Sequence, residues 1–442
     1  MALSNHQFAH SGMVFQVAGV RGPLHEDLLR CALVWVQSRH PLLQCWIRHP
    51  PKAKKYAALR FRRASVWQRQ HPNELMRVLP FDVAPDIHWI PFCEDHLSGD
   101  PGRHRSYYFG KRGYRWRFFF FPADDQGVCR LLLVADHAIM DALSSSHFMH
   151  ELLIRCGQLV HQNNLEPALA PRHLRRPLKR PVEYYFPRAP RCEPVTEGSP
   201  DLFHFGFDAK HAHTPIHQRT TRTVFFNIEA DIMKRVVAHS KQVDLKVNSL
   251  LVSALLRAVY SGQDRPLYSP FTTAISLRPF CLRIRNKPAL DVEDFGSYAF
   301  VAPTQPLVDP GVGPDELARA YEQEFLKAPK TAFGMSKIRR SLLATAMHES
   351  VVRVERGKKF LAGPAISNLG VLDFPRDYGP FALQDLFFWT AQPTGQFYVA
   401  LSVISLHGAL YGAFTYTWPL LSEEAVQAIA DRFVDNVHDI GS

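Results

Sequence analysis

A histidine and an aspartate four residues apart, His137 and Asp141, are the pair in this 442-residue chain best placed to do chemistry. An imidazole can take a proton from a hydroxyl or an amine near neutral pH, and a carboxylate can orient that imidazole or hold a cation. His137 stands where a continuously apolar run, Leu131 to Ala135, breaks off at Asp136, and such a strand end holds a side chain rigidly at the edge of a cleft. In a chain with 22 histidines an HxxxD spacing carries little by itself, and an ordinary hydrogen-bonded histidine is the competing reading. His147 and Glu151, four apart on a helical stretch, could complete a site with His137 or simply hydrogen-bond at the surface. His211, His213 and His217 form an HxHxxxH run, but it follows a proline-rich stretch and no cysteine accompanies it, so no metal site is expected. No GxxxxGK[ST], GxGxxG after a strand, GxSxG or HExxH occurs, which removes the easiest assignments to nucleotide, dinucleotide, serine-hydrolase and zinc-peptidase chemistry.

The elements that must position His137 are legible around it. Apolar residues at Leu24, Leu28, Cys31, Ala32, Trp35 and Val36 line one face of a first helix over 24–40, which Pro41 stops. Residues 115–122 and 128–135 read as a hairpin turning at residues 123–127, and the second strand is apolar enough to be buried on both faces. A helix with a serine cap is expected from Ser144 to Gly157. Prolines at 167, 171, 177, 181, 187, 190, 194 and 200 then forbid regular structure.

Beyond them a strand over 220–228, a helix over 230–240 and an apolar helix over 248–261, capped by Asn248 or Ser249, repeat the alternation. A strand over 271–277, helices over 315–327 and 336–352, a hairpin within 397–418 and a last helix over 423–439, capped by Ser422, complete the reading. The uncharged stretch 397–421 is expected to be that hairpin, turning at His407-Gly408, and not a membrane span, because serines, threonines and a histidine interrupt it.

Composition agrees with a large globular body: 46% hydrophobic, 12% aromatic and 21% charged residues exclude a disordered or fibrous chain. Seven scattered cysteines with no CxxC pair encode neither a disulfide framework nor a zinc ribbon, and the amino terminus lacks a signal-peptide pattern, so a cytoplasmic location is expected. The net charge of +11 gathers in two clusters, Arg103, Arg105, Lys111, Arg112, Arg115, Arg117 and Arg172, Arg175, Arg176, Lys179, Arg180. They are either a solvated surface or an attraction for an anionic partner, such as an acidic carrier protein or coenzyme A; no nucleic-acid motif accompanies them.

The stretch Ala135-Asp136-His137-Ala138-Ile139-Met140-Asp141-Ala142 resembles the HHxxxDG signature of the chloramphenicol acetyltransferase-like superfamily. That group includes nonribosomal-peptide condensation domains, polyketide-associated alcohol acyltransferases, wax ester synthases and plant BAHD acyltransferases. Arg39-His40-Pro41-Leu42-Leu43 resembles its RHPxL, and Val247-Asn248-Ser249-Leu250-Leu251 with the following Ala254 to Ala258 resembles its VNDxLLAALLRAL helix. Ile275-Ser276-Leu277-Arg278-Pro279 is similar to its VSLRP strand, Asp294-Phe295-Gly296 to its DFG element and Ser367-Asn368-Leu369-Gly370 to its SNLG. The order is the family's, from residue 39 to residue 370.

The resemblance implies a layered α/β (α+β) chain of two chloramphenicol acetyltransferase-like lobes with a tunnel at their interface. The expected divisions are an N-terminal lobe over 1–165 carrying the motif, a proline-rich crossover over 166–219 and a C-terminal lobe over 220–442. It implies thioester-dependent acyl transfer to an alcohol or amine, without an acyl-enzyme and without a cofactor beyond the acyl-CoA or acyl-carrier substrate, as in natural product biosynthesis. His137 would be the general base. Asp141 would be a structural residue paired with Arg278. Asn368 and Ser297 are candidates for the oxyanion donor. A chain of this length with no attached carrier segment suits a discrete acyltransferase; an amide-forming condensation enzyme, drawing on an acyl or peptidyl carrier protein, and an inactive docking module are the alternatives.

Two positions depart from the signature: Asp136 replaces the first histidine and Ala142 the glycine. Asp136 could strengthen the neighbouring base or line the site, although strand alternation turns it away. Ala142 costs little unless its backbone needs a positive φ.

Overall fold

The computed structural model describes residues 12–48, 60–63, 71–77, 79–84, 88–97, 114–180, 202–281, 290–335, 354 and 356–440. Two six-stranded sheets organise these residues. In chain order their strands are β1 (Met13–Arg21), β2 (Phe81–Val83), β3 (Trp116–Phe121), β4 (Val128–Asp136), β5 (Thr220–Ile228), β6 (Phe271–Ser276), β7 (Ala299–Thr304), β8 (Ala365–Leu372), β9 (Asp377–Tyr378), β10 (Phe381–Thr390), β11 (Ala400–Leu406) and β12 (Ala409–Trp418). The longer helices are α1 (Glu26–Arg39), α2 (Ala142–His161), α3 (Ala230–Gln242), α4 (Val247–Val259), α5 (Pro314–Met335) and α6 (Glu423–Ile440).

The first sheet runs β9-β10-β1-β4-β3-β2. β4 lies between β1 and β3, antiparallel to both, with Met13 opposite Asp136 and Trp116 opposite Ala135. This central place explains its unbroken apolar run: Leu131 to Ala135 are fully buried. α1 and α2 pack together in this unit, whose core includes Trp116, Phe118, Phe148 and Trp389.

The second sheet runs β7-β6-β8-β11-β12-β5 and is mixed, with β8 parallel to both β6 and β11. α4, whose apolar residues cover nearly every face, packs against α5 and α6 and is buried in the second core. The hairpin of β11 and β12 turns at His407-Gly408, both at positive φ, in keeping with the turn read from the sequence.

The chain forms two compact units that are not consecutive stretches. Arg278–Tyr298 and Asp373–Ala391 belong with the amino-terminal part of the chain, while the second unit comprises the described residues of 186–277, 299–372 and 392–442. A linear division at 165 and 220 misses both excursions, because strand partners are chosen by fit across a sheet and not by order along the chain: β10 pairs with β1 along Val14 to Arg21.

Three local expectations are corrected. α2 begins at Ala142 and its cap is Asp141, whose carboxylate accepts from Ser144 N at 2.9 Å, so the cap is an aspartate and not a serine. α4 starts at Val247 with Lys246 at the cap position and no side-chain cap bond; Asn248 and Ser249 lie inside the helix and bond elsewhere. The proline-rich stretch is no free linker up to residue 180: Ala170 N donates to Ser38 Oγ at 2.8 Å and Arg176 N to the Arg39 carbonyl at 2.9 Å, strapping it along the end of α1. Prolines 181, 187, 190, 194 and 200, the helix expected over 336–352 and the basic residues 103–112 lie outside the described residues.

No described helix is long and apolar enough to cross a membrane. The six described cysteines, Cys31, Cys45, Cys93, Cys129, Cys156 and Cys281, are buried free thiols.

Candidate active site

β4 delivers His137 to the end of the first sheet. The His137 N–H donates to the Gly12 carbonyl at 2.8 Å, extending the ladder with β1 by one step. The chain then turns at once: Asp136 Oδ1 accepts from Ala138 N at 2.8 Å and the Asp136 carbonyl accepts from Ile139 N at 2.9 Å. His137 is half-buried between this turn and the residues preceding β7, and Ser297 Oγ lies 3.4 Å from its Nδ1.

Asp136 is buried and committed to structure. Beside the turn bond, its other oxygen receives the Arg115 guanidinium, with Nε at 3.1 Å. The carboxylate is thus paired away in the strand layer, in accord with the alternation of β4.

Asp141 is filled to capacity. Oδ1 accepts from Ser144 N at 2.9 Å, Ser144 Oγ at 2.8 Å and Arg278 Nη2 at 3.1 Å. Oδ2 accepts from Arg278 Nη1 at 2.8 Å and Tyr298 N at 2.9 Å. A carboxylate offers about four lone-pair directions, so none is left for His137. Burial pushes this carboxyl up, yet the charge and hydrogen bonds of Arg278, with the two backbone donors, outweigh burial and hold it below the usual carboxylate range. Asp141 and Arg278 both belong to the first unit, although 137 residues separate them in sequence.

The segment carrying Asp294-Phe295-Gly296-Ser297 is packed into this pair. Asp141 N donates to the Gly296 carbonyl at 3.0 Å, and a Cβ on Gly296 would lie 2.4 Å from the Tyr298 ring, so only glycine lets the chain pass. Phe295 stacks on the His40 ring at 3.6 Å. Ala142 is helical and does not require positive φ, so the absence of glycine there costs nothing.

Glu151 and His147 do not form a surface pair. Glu151 is 7% exposed, accepting from His40 Nε2 at 2.8 Å beside Arg39, and these partners override burial to keep it ionised. Burial, with the neighbouring His150, brings His147 down to about 4. Its ring meets Phe374 edge-on. Sequence spacing detected the pair but not the excursion 373–391 that covers His147.

Asn368 lies in the second unit, where its amide donates to Asn248 Oδ1 at 3.1 Å. Asn248 in turn donates to Tyr321 OH at 3.4 Å, which shares a hydrogen with Thr273 Oγ1 at 2.8 Å. The SNLG element, the VNS helix and the strand that leads into SLRP are thereby joined by a tyrosine that sequence reading did not single out. Part of the basic surface is consumed internally as well: Arg115 pairs with Asp136, Arg117 with Asp82, Arg176 with Asp291 and Glu293, and Lys179 with Asp294. A shallow cleft is lined by His40, Pro41, Arg176, Lys179, Asp294 and Phe295 among others; His137 does not line it. Among the described residues no three His, Cys, Asp or Glu side chains are grouped to hold a metal ion.

No family model matches the chain, and no curated protein matches it. Solved structures do, over nearly its whole length. It is similar to the trichothecene 15-O-acetyltransferase of Fusarium sporotrichioides at 11% identity and a TM-score of 0.66, covering 99% of this chain and 94% of that one. The epimerization domain of the third module of tyrocidine synthetase B gives 14% identity and a TM-score of 0.61, over 100% and 94%. Polyketide synthase associated protein 5 of Mycobacterium tuberculosis gives 12% and 0.59, over 98% and 95%.

Proposed function

Because the chain has the two-lobed α/β fold of the chloramphenicol acetyltransferase-like superfamily, we propose that it is an acyltransferase that moves an acyl group from a thioester to an alcohol or amine, with His137 as general base. The observation that carries this reading is the division of labour at the strand end. Asp141 is saturated by Arg278, Ser144 and backbone donors, Asp136 is paired with Arg115 and a backbone donor, and what the site offers is a half-buried imidazole without a carboxylate partner among the described residues.

An acceptor hydroxyl is a poor nucleophile at neutral pH. As its oxygen forms the new bond to the thioester carbonyl carbon, the imidazole takes its proton, a contribution of about 100-fold to 10,000-fold. The tetrahedral intermediate then expels the thiolate, which recovers the proton from the imidazolium. Acyl group and proton are both accounted for without a covalent enzyme intermediate. Coenzyme A or an acyl carrier protein supplies the thioester in this reading. The two departures from the motif do not argue for an inactive docking module, since Ala142 needs no special backbone and Asp136 is anchored apart from the ring's bonds.

Intact-mass detection of acyl transfer from a panel of coenzyme A and carrier-protein thioesters to alcohols and amines tests the proposal. Transfer by the wild type that is lost in His137→Ala is the expected result. Equal turnover by the two proteins would remove His137 from the chemistry, and amide products alone would make the chain a condensation enzyme.

A further inference from the structure

We propose that Ser297 is the positioning residue of His137: its hydroxyl oxygen accepts the hydrogen on Nδ1 and so leaves Nε2 as the lone pair that acts as base. This rests on the reading of His137 as the general base and gives Ser297 a task different from donating to an oxyanion. A neutral imidazole carries one N–H, and the nitrogen that keeps it is chosen by the hydrogen bond that nitrogen makes. Ser297 Oγ is the side-chain atom within hydrogen-bonding reach of the His137 ring among the described residues, at 3.4 Å from Nδ1. A long contact of this kind tightens when substrate completes the site. The two acids that could compete for the role are occupied, Asp141 by five donors and Asp136 by Arg115 and Ala138 N.

Ser297 can serve because the backbone on both sides of it is held. The Gly296 carbonyl accepts from Asp141 N at 3.0 Å, and Tyr298 N donates to Asp141 Oδ2 at 2.9 Å. Three residues upstream, the Asp294 carbonyl accepts from Arg278 Nη2 at 3.2 Å. The acidic residues that precede Ser297 are clasped by the strap and the end of α1: Lys179 lies 3.2 Å from Asp294, Arg39 lies 2.6 Å from Glu293, and Arg176 lies 3.4 Å from Asp291 and pairs with Glu293 as well. Arg176 and Lys179 of the basic run therefore have a use inside the molecule: they fix one end of the segment whose other end meets the imidazole.

The test reads the tautomer directly. Full-length protein labelled with 15N-histidine is examined by NMR at pH 8, where an ordinary imidazole is neutral, and the His137 resonances are identified by their loss in His137→Gln. The expected result is a wild-type ring protonated on Nδ1. Ser297→Ala should shift the tautomer ratio about fivefold to tenfold toward Nε2–H, the weight of one hydrogen bond, while Ser297→Thr, which keeps the hydroxyl, restores it. A wild-type ring protonated on Nε2, or a ratio that ignores Ser297→Ala, overturns the proposal. Because the readout needs no substrate, it is separable from the function: a tautomer that obeys Ser297 in a protein that transfers nothing would sink acyl transfer and leave the positioning role standing.

Discussion

Each of the two units holds a polar network, buried in the first and partly buried in the second, and the two are built from different chemistry. In the first unit the links are ionic: Asp141 with Arg278, Asp136 with Arg115, and Glu151 with Arg39. In the second they are neutral, a chain from Asn368 through Asn248 and Tyr321 to Thr273. A buried ion pair contributes little net stability, yet losing one partner is severe because the other charge is stranded. A neutral hydrogen bond fails more gently. The network beside the candidate base is thus the less forgiving of the two, which suits a site whose acids must be kept away from the imidazole.

The largest expected effect is on activity. His137→Ala should lower acyl transfer by about 100-fold to 10,000-fold with an unchanged melting temperature, as measured by single-turnover kinetics beside a thermal melt. A variant that also unfolds early would place His137 among the structural residues and blur the contrast.

Stability comes next. Asp141→Ala or Arg278→Ala should each cost roughly 3 to 5 kcal/mol in denaturant unfolding, and the double variant should cost clearly less than the sum. Additive losses would dissolve the ionic half of the comparison. In the second unit, Tyr321→Phe removes the hydroxyl between Asn248 and Thr273 and should cost only roughly 1 to 3 kcal/mol. A loss equal to that of Asp141→Ala would show that neutrality is not what makes this network tolerant.

The smallest effect is read against pH. His147 titrates at about 4 in the fold, where burial and His150 disfavour its charged form, against 6.5 for an ordinary histidine. The unfolded chain therefore takes up the proton first as pH falls. The contribution is fully present above pH 6.5, is lost progressively down to about pH 4, and is constant below that. His147→Gln should flatten the melting-temperature profile across this window without abolishing its slope, since His40 and His150 are shifted downward as well. An unaltered profile would mean that His147 is exposed to solvent in the folded protein.

Local pattern determined much of this protein. Apolar spacing places α1, and the turn residues 123–127 with an unbroken apolar run place the hairpin of β3 and β4, so the address of His137 at a strand end is legible in the amino-acid sequence. These features depend on contacts close in sequence and on periodicity, which a linear reading can see. The cap of α2 illustrates the limit. Both Asp141 and Ser144 are good capping residues, and only the geometry of the first turn decides that Asp141 takes the role while also holding Arg278.

What tertiary structure alone decided is which distant segments share a unit. Residues 278–298 leave one strand of the second sheet and return in the next, and on the way they bring Arg278 to Asp141 and Ser297 to His137. Likewise 373–391 supplies β9 and β10 to the first sheet and packs Phe374 against His147, which the sequence left open to the surface. Nothing in the local pattern of either excursion names its partner, because burial and charge pairing are satisfied across space, by whichever complementary edge or counter-ion the folded chain brings near.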